Sequence, residues 1–358
     1  MRIAVLGVGL IGGSIGLAAR GRVPGTEVTG FDPDPAALEA ARELGAIDRA
    51  AGTVEEAARD AQACFACAPV GALPALVEQA LAAASRDCVV SDVGSTKRVI
   101  VERVRDERFV GGHPVAGAET SGVTNAREDL FDGAPWYLTP EERASGMLYE
   151  RLHRLVAGLG ARPLAVAPEA HDRLLAIVSH LPHVLANVLV SQLALRSRQR
   201  DERLGPVGPS FRDISRVAGA NPGIWNDIYA SNAPAIAEEI DEMVHGLAEV
   251  AANLRAGDAG AIDAWNATAR GDRRQLLEAD LAGGPVRELR VSVPNRPGVV
   301  AEVALAMGRE GINISDLALA PAPDMRTGQI TLWVAGADAA TRAEALIEGL
   351  GFPVATVS

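Results

Sequence analysis

Short apolar runs alternate with helical stretches over the first 166 residues of the chain. The runs are rich in β-branched or aromatic residues, and the stretches between them are rich in Ala, Glu and Arg. The clearest runs lie at 2–8, 27–32, 88–94, 108–113, 135–140 and 163–168. This alternation is typical of a parallel β-sheet flanked by helices, so we predict an α/β domain here.

From His171 to about Leu281 the strand signal disappears and a long helical periodicity takes over. We predict an all-helical middle domain. One helix in it has two contrasting faces when its residues are placed about 100° apart. The apolar stripe contains Leu174, Ile177, Val178, Leu181, Leu185 and Val188, and the opposite stripe contains Ser179, His180, His183 and Asn187.

The polar stripe of that helix has no Lys, Arg or Glu, which a solvent-facing stripe normally carries. We therefore expect it to face a polar cavity or a subunit interface. For His180 and His183 three alternatives stay open: contacts to a substrate, hydrogen bonds in a buried interior, or a metal site, which lacks an acidic pair nearby.

The last segment predicts the order strand, helix, strand, strand, helix, strand, which is typical of a small ferredoxin-like βαββαβ domain. The predicted elements cover 287–293, 298–309, 312–319, 329–334, 339–350 and 354–357. A Gly- and Pro-containing linker precedes them. We therefore predict three domains, at 1–167, 168–283 and 287–358, in agreement with a length of 358 residues.

The chain is acidic, with a formal charge of −12, which argues against nucleic-acid and anionic-membrane partners. An uncharged run at 174–195 is long enough to cross a bilayer, but its His, Asn and Pro residues argue against a membrane span. Three cysteines are too few for a disulfide framework and indicate a cytoplasmic protein. Cys64 and Cys67 form a C-x-x-C that could be a redox pair or half a zinc site, but an apolar strand context favours plain buried residues, and we expect no metal.

A glycine-rich G-x-G-x-x-G motif follows the first strand and opens a helix. Its glycines allow a tight turn, a close approach of the backbone to a pyrophosphate, and close packing of helix on strand, so we predict a Rossmann domain. A carboxylate about 20 residues later suits the ribose hydroxyls of NAD, and no Arg follows it to accept the 2′-phosphate of NADP. FAD, S-adenosylmethionine or a bare turn remain alternatives. The predicted NAD contacts are Gly7, Gly9, Leu10, Ile11, Gly12 and Asp32.

Two later loops should face the same crevice, because ligands of such sheets bind beyond the carboxyl ends of the strands. The first contains Ser95, Thr96 and Lys97, the only lysine of the chain; the second contains His113 and Glu119. A histidine suits removal of a hydroxyl proton as a hydride departs. The alternative for Ser95 and Thr96 is a helix N-cap, and for His113 a turn.

Arg212 and Arg216 lie four residues apart, on one helical face, with Asp213 and Trp225 nearby. Arginine binds carboxylates in a bidentate manner, which suits an organic diacid, and any anionic ligand of this acidic chain must find its cations locally. Lys97 is a further candidate cation. The alternative is an exposed, salt-bridged helix.

Several motifs in this order resemble the prephenate and arogenate dehydrogenases of tyrosine biosynthesis. They are "GVGLIGGSIG", "SDVGSTK", "GGHPVAGAETSGV", "HDRLLAIVSHLPH" and "FRDISRVAGANPGIWNDI". The resemblance implies NAD-dependent oxidative decarboxylation of prephenate to 4-hydroxyphenylpyruvate, and a helical half that forms a homodimer. It also implies that His113 is the catalytic histidine and Ser95 its partner, and that Arg216 and His183 bind substrate. We add Glu119, Arg212, Asp213 and Trp225 as candidate substrate contacts.

The C-terminal segment looks like an ACT domain, a small amino-acid-sensing module. This resemblance implies that Asn295, Gly298, Asn313 and Ile314 bind an amino acid, with tyrosine as the expected feedback inhibitor. The alternative for these residues is turn and helix-start chemistry.

The chain departs from the family at Ala118, where Thr or Ser is frequent, and at Ser215, where Thr is usual. These departures leave open whether the substrate is prephenate, a keto acid, or arogenate, an amino acid. A non-catalytic sensor of NAD and an amino acid is a rival hypothesis. A 3-hydroxyacid dehydrogenase is another, but the catalytic lysine of those enzymes has no counterpart in 171–281.

Overall fold

The computed structural model describes the chain except for residues 118–119, 201–206, 280–285, 295, 297–298, 300–301, 304–305, 308–309, 311, 313, 323–325 and 358. The side chains of 200, 277–279, 315–319, 321 and 357 are also outside the description. The chain divides into two compact units, Met1–His245 and Gly246–Ser358.

The first unit begins with five parallel strands in the order β3-β2-β1-β4-β5. The strands are β1 (Arg2–Leu6), β2 (Glu27–Phe31), β3 (Arg49–Ala50), β4 (Ala63–Ala66) and β5 (Val89–Asp92). The helices between and after them are α1 (Leu10–Arg22), α2 (Pro35–Glu43), α3 (Val54–Ala58), α4 (Leu73–Ala83) and α5 (Arg98–Arg103). Along β1, Ile3 and Val5 are buried in one hydrophobic cluster and Ala4 and Leu6 in another. Helices therefore cover both faces of the sheet, and the predicted Rossmann domain is confirmed.

The later strands form a second, three-stranded sheet instead of extending the first. They are β6 (Gly111–Pro114), β7 (Pro135–Thr139) and β8 (Arg162–Ala165), with helix α6 (Gly146–Gly158) between the last two. β6 and β7 pair antiparallel, whereas β7 and β8 pair parallel. An apolar run does not reveal strand direction, so the sequence pattern could not distinguish this mixed sheet from an all-parallel one.

The middle region is helical, as predicted. It contains α7 (Pro168–Leu175), a π-helical turn (Ala176–His180), α8 (Leu181–Arg200), α9 (Pro209–Ser215), a 3₁₀ turn (Arg216–Gly219), α10 (Pro222–Ser231), α11 (Ala233–Ala256) and α12 (Ala259–Ala279). The polar stripe faces the interior, where His180 and His183 are buried. The apolar stripe is largely exposed, with Ile177 at 51%, Val178 at 58% and Val188 at 56%.

The C-terminal region forms an antiparallel sheet in the order β10-β11-β9-β12, as expected for a ferredoxin-like ACT domain. Its elements are β9 (Val286–Pro294), β10 (Ile314–Pro321), β11 (Thr327–Ala335), α13 (Ala337–Gly349) and β12 (Val354–Val357), and residues 302–303 and 306–307 are helical. Of the predicted regulatory residues, Ile314 begins β10, while Asn295, Gly298 and Asn313 lie outside the described residues.

The division into two units falls inside α11, so that α12 belongs with the C-terminal sheet. There α12 contacts β9, and the Arg273 guanidinium carbon lies 5.1 Å from the centre of the Trp333 ring. The predicted domain limits near 167 and 283 remain a prediction.

Candidate active site

The glycine loop between β1 and α1 has the geometry of a phosphate cradle. Gly7 has a φ of +100°, and a Cβ there would lie 2.0 Å from the Cys67 carbonyl oxygen; a Cβ on Gly12 would lie 1.9 Å from the Gly7 oxygen. Both glycines are therefore required by the packing of the chain itself. A Cβ on Gly9 would meet no atom within 4 Å.

Gly9 is also the N-cap of α1, which has no side-chain cap and no acidic residue in its first turn. The first N–H groups of α1, from Leu10 and Ile11 onwards, thus remain available to an anion, and the helix dipole favours one. Open space beside Gly9 and these N–H groups fit the pyrophosphate of a dinucleotide.

Asp32 follows β2 and is fixed next to the same loop. Its Oδ2 accepts a hydrogen bond from the Val8 N–H at 2.9 Å, and its Oδ1 accepts one from the Asp34 N–H at 2.9 Å. A carboxylate offers about four acceptor positions, so two remain for ribose hydroxyls. Its negative charge disfavours the 2′-phosphate of NADP.

The lone lysine is buried in an ion pair behind this site. Lys97 is 0% exposed, and its Nζ contacts Oδ2 of Asp92, at the end of β5. The Asp92 carboxylate also accepts hydrogen bonds from the N–H groups of Gly94 (2.8 Å) and Gly112 (3.2 Å). Burial lowers the pKa of Lys97, although Asp92 opposes the shift. Lys97 thus ties the β5 loop to the strand pair β5 and β6, and its burial against Asp92 does not favour the candidate role of binding an anionic substrate.

His113, on β6, lies at one end of a line of three polar side chains. Its Nδ1 is 2.8 Å from Nε2 of His171, and Nδ1 of His171 is 2.8 Å from Oδ1 of Asp172. The carboxylate of Asp172 also accepts hydrogen bonds from the N–H groups of Lys97 (2.7 Å) and Arg98 (3.0 Å), at the start of α5. The first turn of α5 is thereby joined to the middle of α7, next to His171.

Burial sets the charge states along this line. Burial lowers the pKa of His113 well below 6.5, with smaller contributions from the neighbouring His171 and Lys97. Burial also lowers the pKa of His171, despite its hydrogen bond to Asp172. For Asp172, burial raises the pKa, but the hydrogen bonds it accepts outweigh burial and the pKa lies below its ordinary value. At neutral pH both histidines are neutral and Asp172 is ionised.

Helix α10 forms the aromatic side of the site. The Trp225 ring stacks on His183, with centroids 3.5 Å apart and planes 2° from parallel. The Tyr229 hydroxyl lies 2.5 Å from Nδ1 of His183. Nδ2 of Asn187 lies 3.1 Å from the same Nδ1. Two donors at Nδ1 place the proton of a neutral His183 on Nε2, which is buried and has no partner within the described parts of the chain. That Nε2–H suits a polar ligand atom.

The opposite side of α10 is bonded to the loops of the Rossmann sheet. The Gly71 N–H donates to Asp227 at 3.1 Å, and the Thr96 hydroxyl donates to Ser231 at 2.9 Å. Just after α10, Asn232 donates to the carbonyl oxygen of Asp172 at 2.8 Å. The helix that carries Trp225 and Tyr229 is thus held in register with the loops around His113.

For the other predicted site residues that it describes, the structure gives a position in the fold. Ser95 is half-buried in the loop between β5 and α5, two residues before Lys97. Arg216 is exposed on the 3₁₀ turn that contacts α8 and precedes α10. The Arg212 guanidinium donates to the Val207 carbonyl oxygen at 3.0 and 3.2 Å, and Asp213 is exposed on α9. Glu119, like Ala118, lies outside the described residues.

Sequence reasoning missed His171, Asp172, Tyr229 and Asn232 as individual site residues. The one available signal was "HDRLLAIVSHLPH", which carries the family resemblance. The contact of His171 with His113 joins residues 58 positions apart and leaves no periodic trace in the sequence.

Three alternatives from the sequence, a reactive cysteine pair, a metal site and a membrane span, concern residues of the first unit. Cys64 is buried in β4 and its pKa is raised by burial, as expected of an inert strand cysteine. Within the described part of the chain, no three His, Cys, Asp or Glu side chains gather as a metal site. Among the helices described, 168–199 is long and apolar enough to cross a membrane, but 33% of its most apolar window is buried inside the protein.

Three family models match the chain in sequence order. They are "Prephenate dehydrogenase, nucleotide-binding domain" over residues 15–165, "Prephenate dehydrogenase, dimerization domain" over 167–265, and "AHAS small subunit-like ACT domain" over 289–350. Together they follow the Rossmann, helical and ferredoxin-like regions along the chain.

Characterised relatives cover most of the chain. It is 32% identical to prephenate dehydrogenase of Bacillus subtilis, over 97% of this chain and 95% of that protein. It is 30% identical to cyclohexadienyl dehydrogenase of Zymomonas mobilis, over 72% of this chain and 89% of that protein. A crystal structure of the Aquifex aeolicus prephenate dehydrogenase with hydroxyphenyl propionate and NAD⁺ is similar, with a TM-score of 0.72 and 27% identity over 77% of this chain and 98% of that one. A structure of Synechocystis arogenate dehydrogenase has a TM-score of 0.67 and 26% identity over 77% and 100%.

Proposed function

The chain belongs to the prephenate dehydrogenase family, and from this membership we propose that it oxidises prephenate with NAD in tyrosine biosynthesis. The products are 4-hydroxyphenylpyruvate, carbon dioxide and NADH. The observation that carries the proposal is the buried, neutral His113, held by His171 near the loops of a dinucleotide-binding sheet.

The residues around the glycine loop fit NAD. Gly9 and the first N–H groups of α1 would hold the pyrophosphate, and Asp32 would accept the ribose hydroxyls. When bound, NAD supplies the acceptor for the hydride. The acidic group of Asp32 in place of an arginine supports NAD over NADP, since the two cofactors differ only at the ribose 2′-position.

His113 acts on the ring hydroxyl. As the hydride leaves the hydroxyl-bearing carbon, positive charge develops there, and the hydroxyl proton shifts towards the imidazole. Loss of the ring carboxylate as carbon dioxide then supplies the electron pair that makes the ring aromatic, and the proton returns to the phenol oxygen. No net proton is consumed over the cycle. Because the histidine accepts the hydroxyl proton, it needs to be neutral at the start of each turnover. Ser95, in the neighbouring loop, is assigned to the same hydroxyl.

Arg216, His183 and Trp225 form the proposed substrate side of the site. The unpartnered Nε2–H of His183 supports a contact to a substrate oxygen. An arginine pairs with a carboxylate at about twice the strength of a neutral hydrogen bond, which supports Arg216 as the anchor for the substrate anion. Glu119, Arg212 and Asp213 remain candidate contacts of the substrate side chain, which differs between prephenate and arogenate.

We further propose a cytoplasmic homodimer that tyrosine inhibits through the ACT domain. The exposed apolar stripe of α7 and α8 supports the dimer, since monomeric surfaces rarely leave such a stripe uncovered. The ferredoxin-like C-terminal domain supports an amino-acid effector. A rate of NADH formation that falls on addition of tyrosine would support it further.

Replacement of His113 tests the assignment of the base. His113→Asn removes the proton acceptor, and we expect kcat with prephenate and NAD to fall at least about 100-fold, within the range that general-base catalysis supplies. NADH absorbance gives the rate, and the dissociation constant of NAD should stay within about twofold. Full activity of His113→Asn would contradict the assignment. NAD binding by the wild type without turnover of either prephenate or arogenate would favour the sensor hypothesis.

A further inference from the structure

The line from His113 through His171 to Asp172 fixes where each proton lies. The ionised carboxylate of Asp172 can only accept, so Nδ1 of His171 carries a proton at this 2.8 Å contact. A neutral His171 then has a bare Nε2. Because Nε2 faces Nδ1 of His113 at 2.8 Å, the proton of His113 must be on Nδ1. The lone pair of His113 is left on Nε2.

The surroundings leave these groups little freedom to rearrange. His171 is 0% and Asp172 2% exposed, and the Tyr137 ring meets His171 edge-on at 5.5 Å between centroids. Asp172 is held by the N–H groups of Lys97 and Arg98, and the neighbouring carbonyl oxygen accepts from Asn232. A rotated carboxylate would leave buried N–H donors unpaired, which disfavours rotation.

We propose that His171 and Asp172 are positioning residues that hold His113 in the Nδ1–H tautomer, with Nε2 as the atom that receives the hydroxyl proton. The proposal rests on the proposed function, in which His113 is the base. His171 and Asp172 do not touch the substrate and act through His113 alone.

The same line keeps its hydrogen bonds when His113 takes up the hydroxyl proton. When the hydroxyl proton reaches Nε2, His113 is an imidazolium whose Nδ1–H donates to His171, while Asp172 lies beyond as the opposite charge. The proton returns to the product oxygen on aromatisation, so both histidines and the carboxylate recover their starting states. Asp172 stays ionised throughout, as the buried carboxylate of a catalytic triad does.

Two substitutions of His171 separate this role from a structural one. His171→Leu removes the acceptor facing His113, and we expect kcat to fall about 100-fold or more, with KM for prephenate and the NAD dissociation constant within about twofold. His171→Gln can place an amide oxygen near the former Nε2 position, so it should recover kcat to within about tenfold of the wild type. His153→Gln, in α6 and away from this line, is the matched control and should keep wild-type kcat.

The tautomer can be observed directly by NMR of protein labelled with ¹⁵N in histidine, with His113→Asn identifying the His113 signals. We expect the Nδ1–H form of His113 in the wild type at neutral pH, and a loss of that preference in His171→Leu. An Nε2–H form in the wild type would overturn the proposal, even if His171→Leu does not fold. Wild-type kcat in a folded His171→Leu would also overturn it.

The outcomes distinguish this inference from the proposed function. If the wild type forms no NADH from prephenate, the proposed function fails, and the NMR measurement still decides the tautomer. If the wild type is active and His171→Leu is equally active, the inference alone fails.

Discussion

At the scale of single residues, the environment of His113, the proposed base, sets the pH range that we expect for the reaction. Burial is the main cause of its low pKa, and the groups that act on it are His171 from α7, Lys97 from the β5 loop and His180 from the π turn. All three disfavour a second proton. A base needs its lone pair, so catalysis is retained above the pKa of His113 and lost below it.

This predicts an acid limb displaced from that of a free histidine. We expect kcat/KM for prephenate to remain nearly level from about pH 8 to about pH 6, because His113 stays neutral across that range. The measurement is a pH profile of NADH formation at constant ionic strength. A loss of activity centred near the ordinary histidine value of about 6.5 would contradict the burial of His113 in the working enzyme.

Lys97 is singled out by composition, but the sequence leaves its role open. As the only lysine of an acidic chain it is a natural candidate to bind an anion, yet its ammonium is fully buried against Asp92. The pair connects the loop after β5 to the start of β6, one residue before His113. Lys97 thus supports the site from behind it.

Breaking this pair should be costly. Lys97→Met leaves the Asp92 carboxylate buried without its cation, and we expect the free energy of unfolding to fall by about 3–5 kcal/mol. Denaturant titration followed by circular dichroism measures it. The matched control is Arg98→Met at the next position along the chain. It removes the partly exposed ion pair between Arg98 and Glu102, and we expect a loss of about 0.5 kcal/mol. Equal losses for the two variants would contradict a supporting role of the buried pair.

At the scale of secondary-structure elements, α7, the π turn and α8 carry the site on one side and an apolar surface on the other. A uniform helical wheel separated polar from apolar positions there, and the polar positions His180 and His183 do face the interior. The wheel could not show that the π turn at Ala176–His180 changes the rotation per residue, a feature that frequently marks functional sites. Nor could it show that the apolar stripe would be exposed.

The exposed apolar stripe predicts that a charged residue introduced there would prevent dimerisation. Ile177→Glu combined with Val178→Glu should convert the proposed dimer to a monomer, because each charge would have to be buried without a partner in the interface. Sedimentation velocity at micromolar concentration reports the change. Leu44→Glu is the control: its side chain is similarly exposed, at 42%, but lies after α2 in the Rossmann region. A double variant that stays dimeric would contradict placement of the interface on this stripe.

At the scale of the whole molecule, local signals were sufficient for the architecture. The glycine loop and the six C-terminal elements depend on turn chemistry and periodicity within short windows, and the observed β9, β11 and β12 begin within two residues of their predicted starts. Contacts between distant segments were beyond reach, since neither the antiparallel pairing of β6 with β7 nor the contact of His113 with His171 has a periodic signature. The sequence could nominate His113 as the base, whereas its contact with His171 is visible only in the fold.

The central claim is that this molecule transfers a hydride from prephenate to NAD, and a direct assay of the two substrates with the two cofactors tests it. Purified protein is incubated with prephenate or arogenate and with NAD or NADP, and NADH or NADPH and the aromatic product are quantified. We expect NADH and 4-hydroxyphenylpyruvate in equal amounts from prephenate and NAD, with a much lower rate with NADP because of Asp32. No NADH from prephenate, or turnover of arogenate alone, would contradict it.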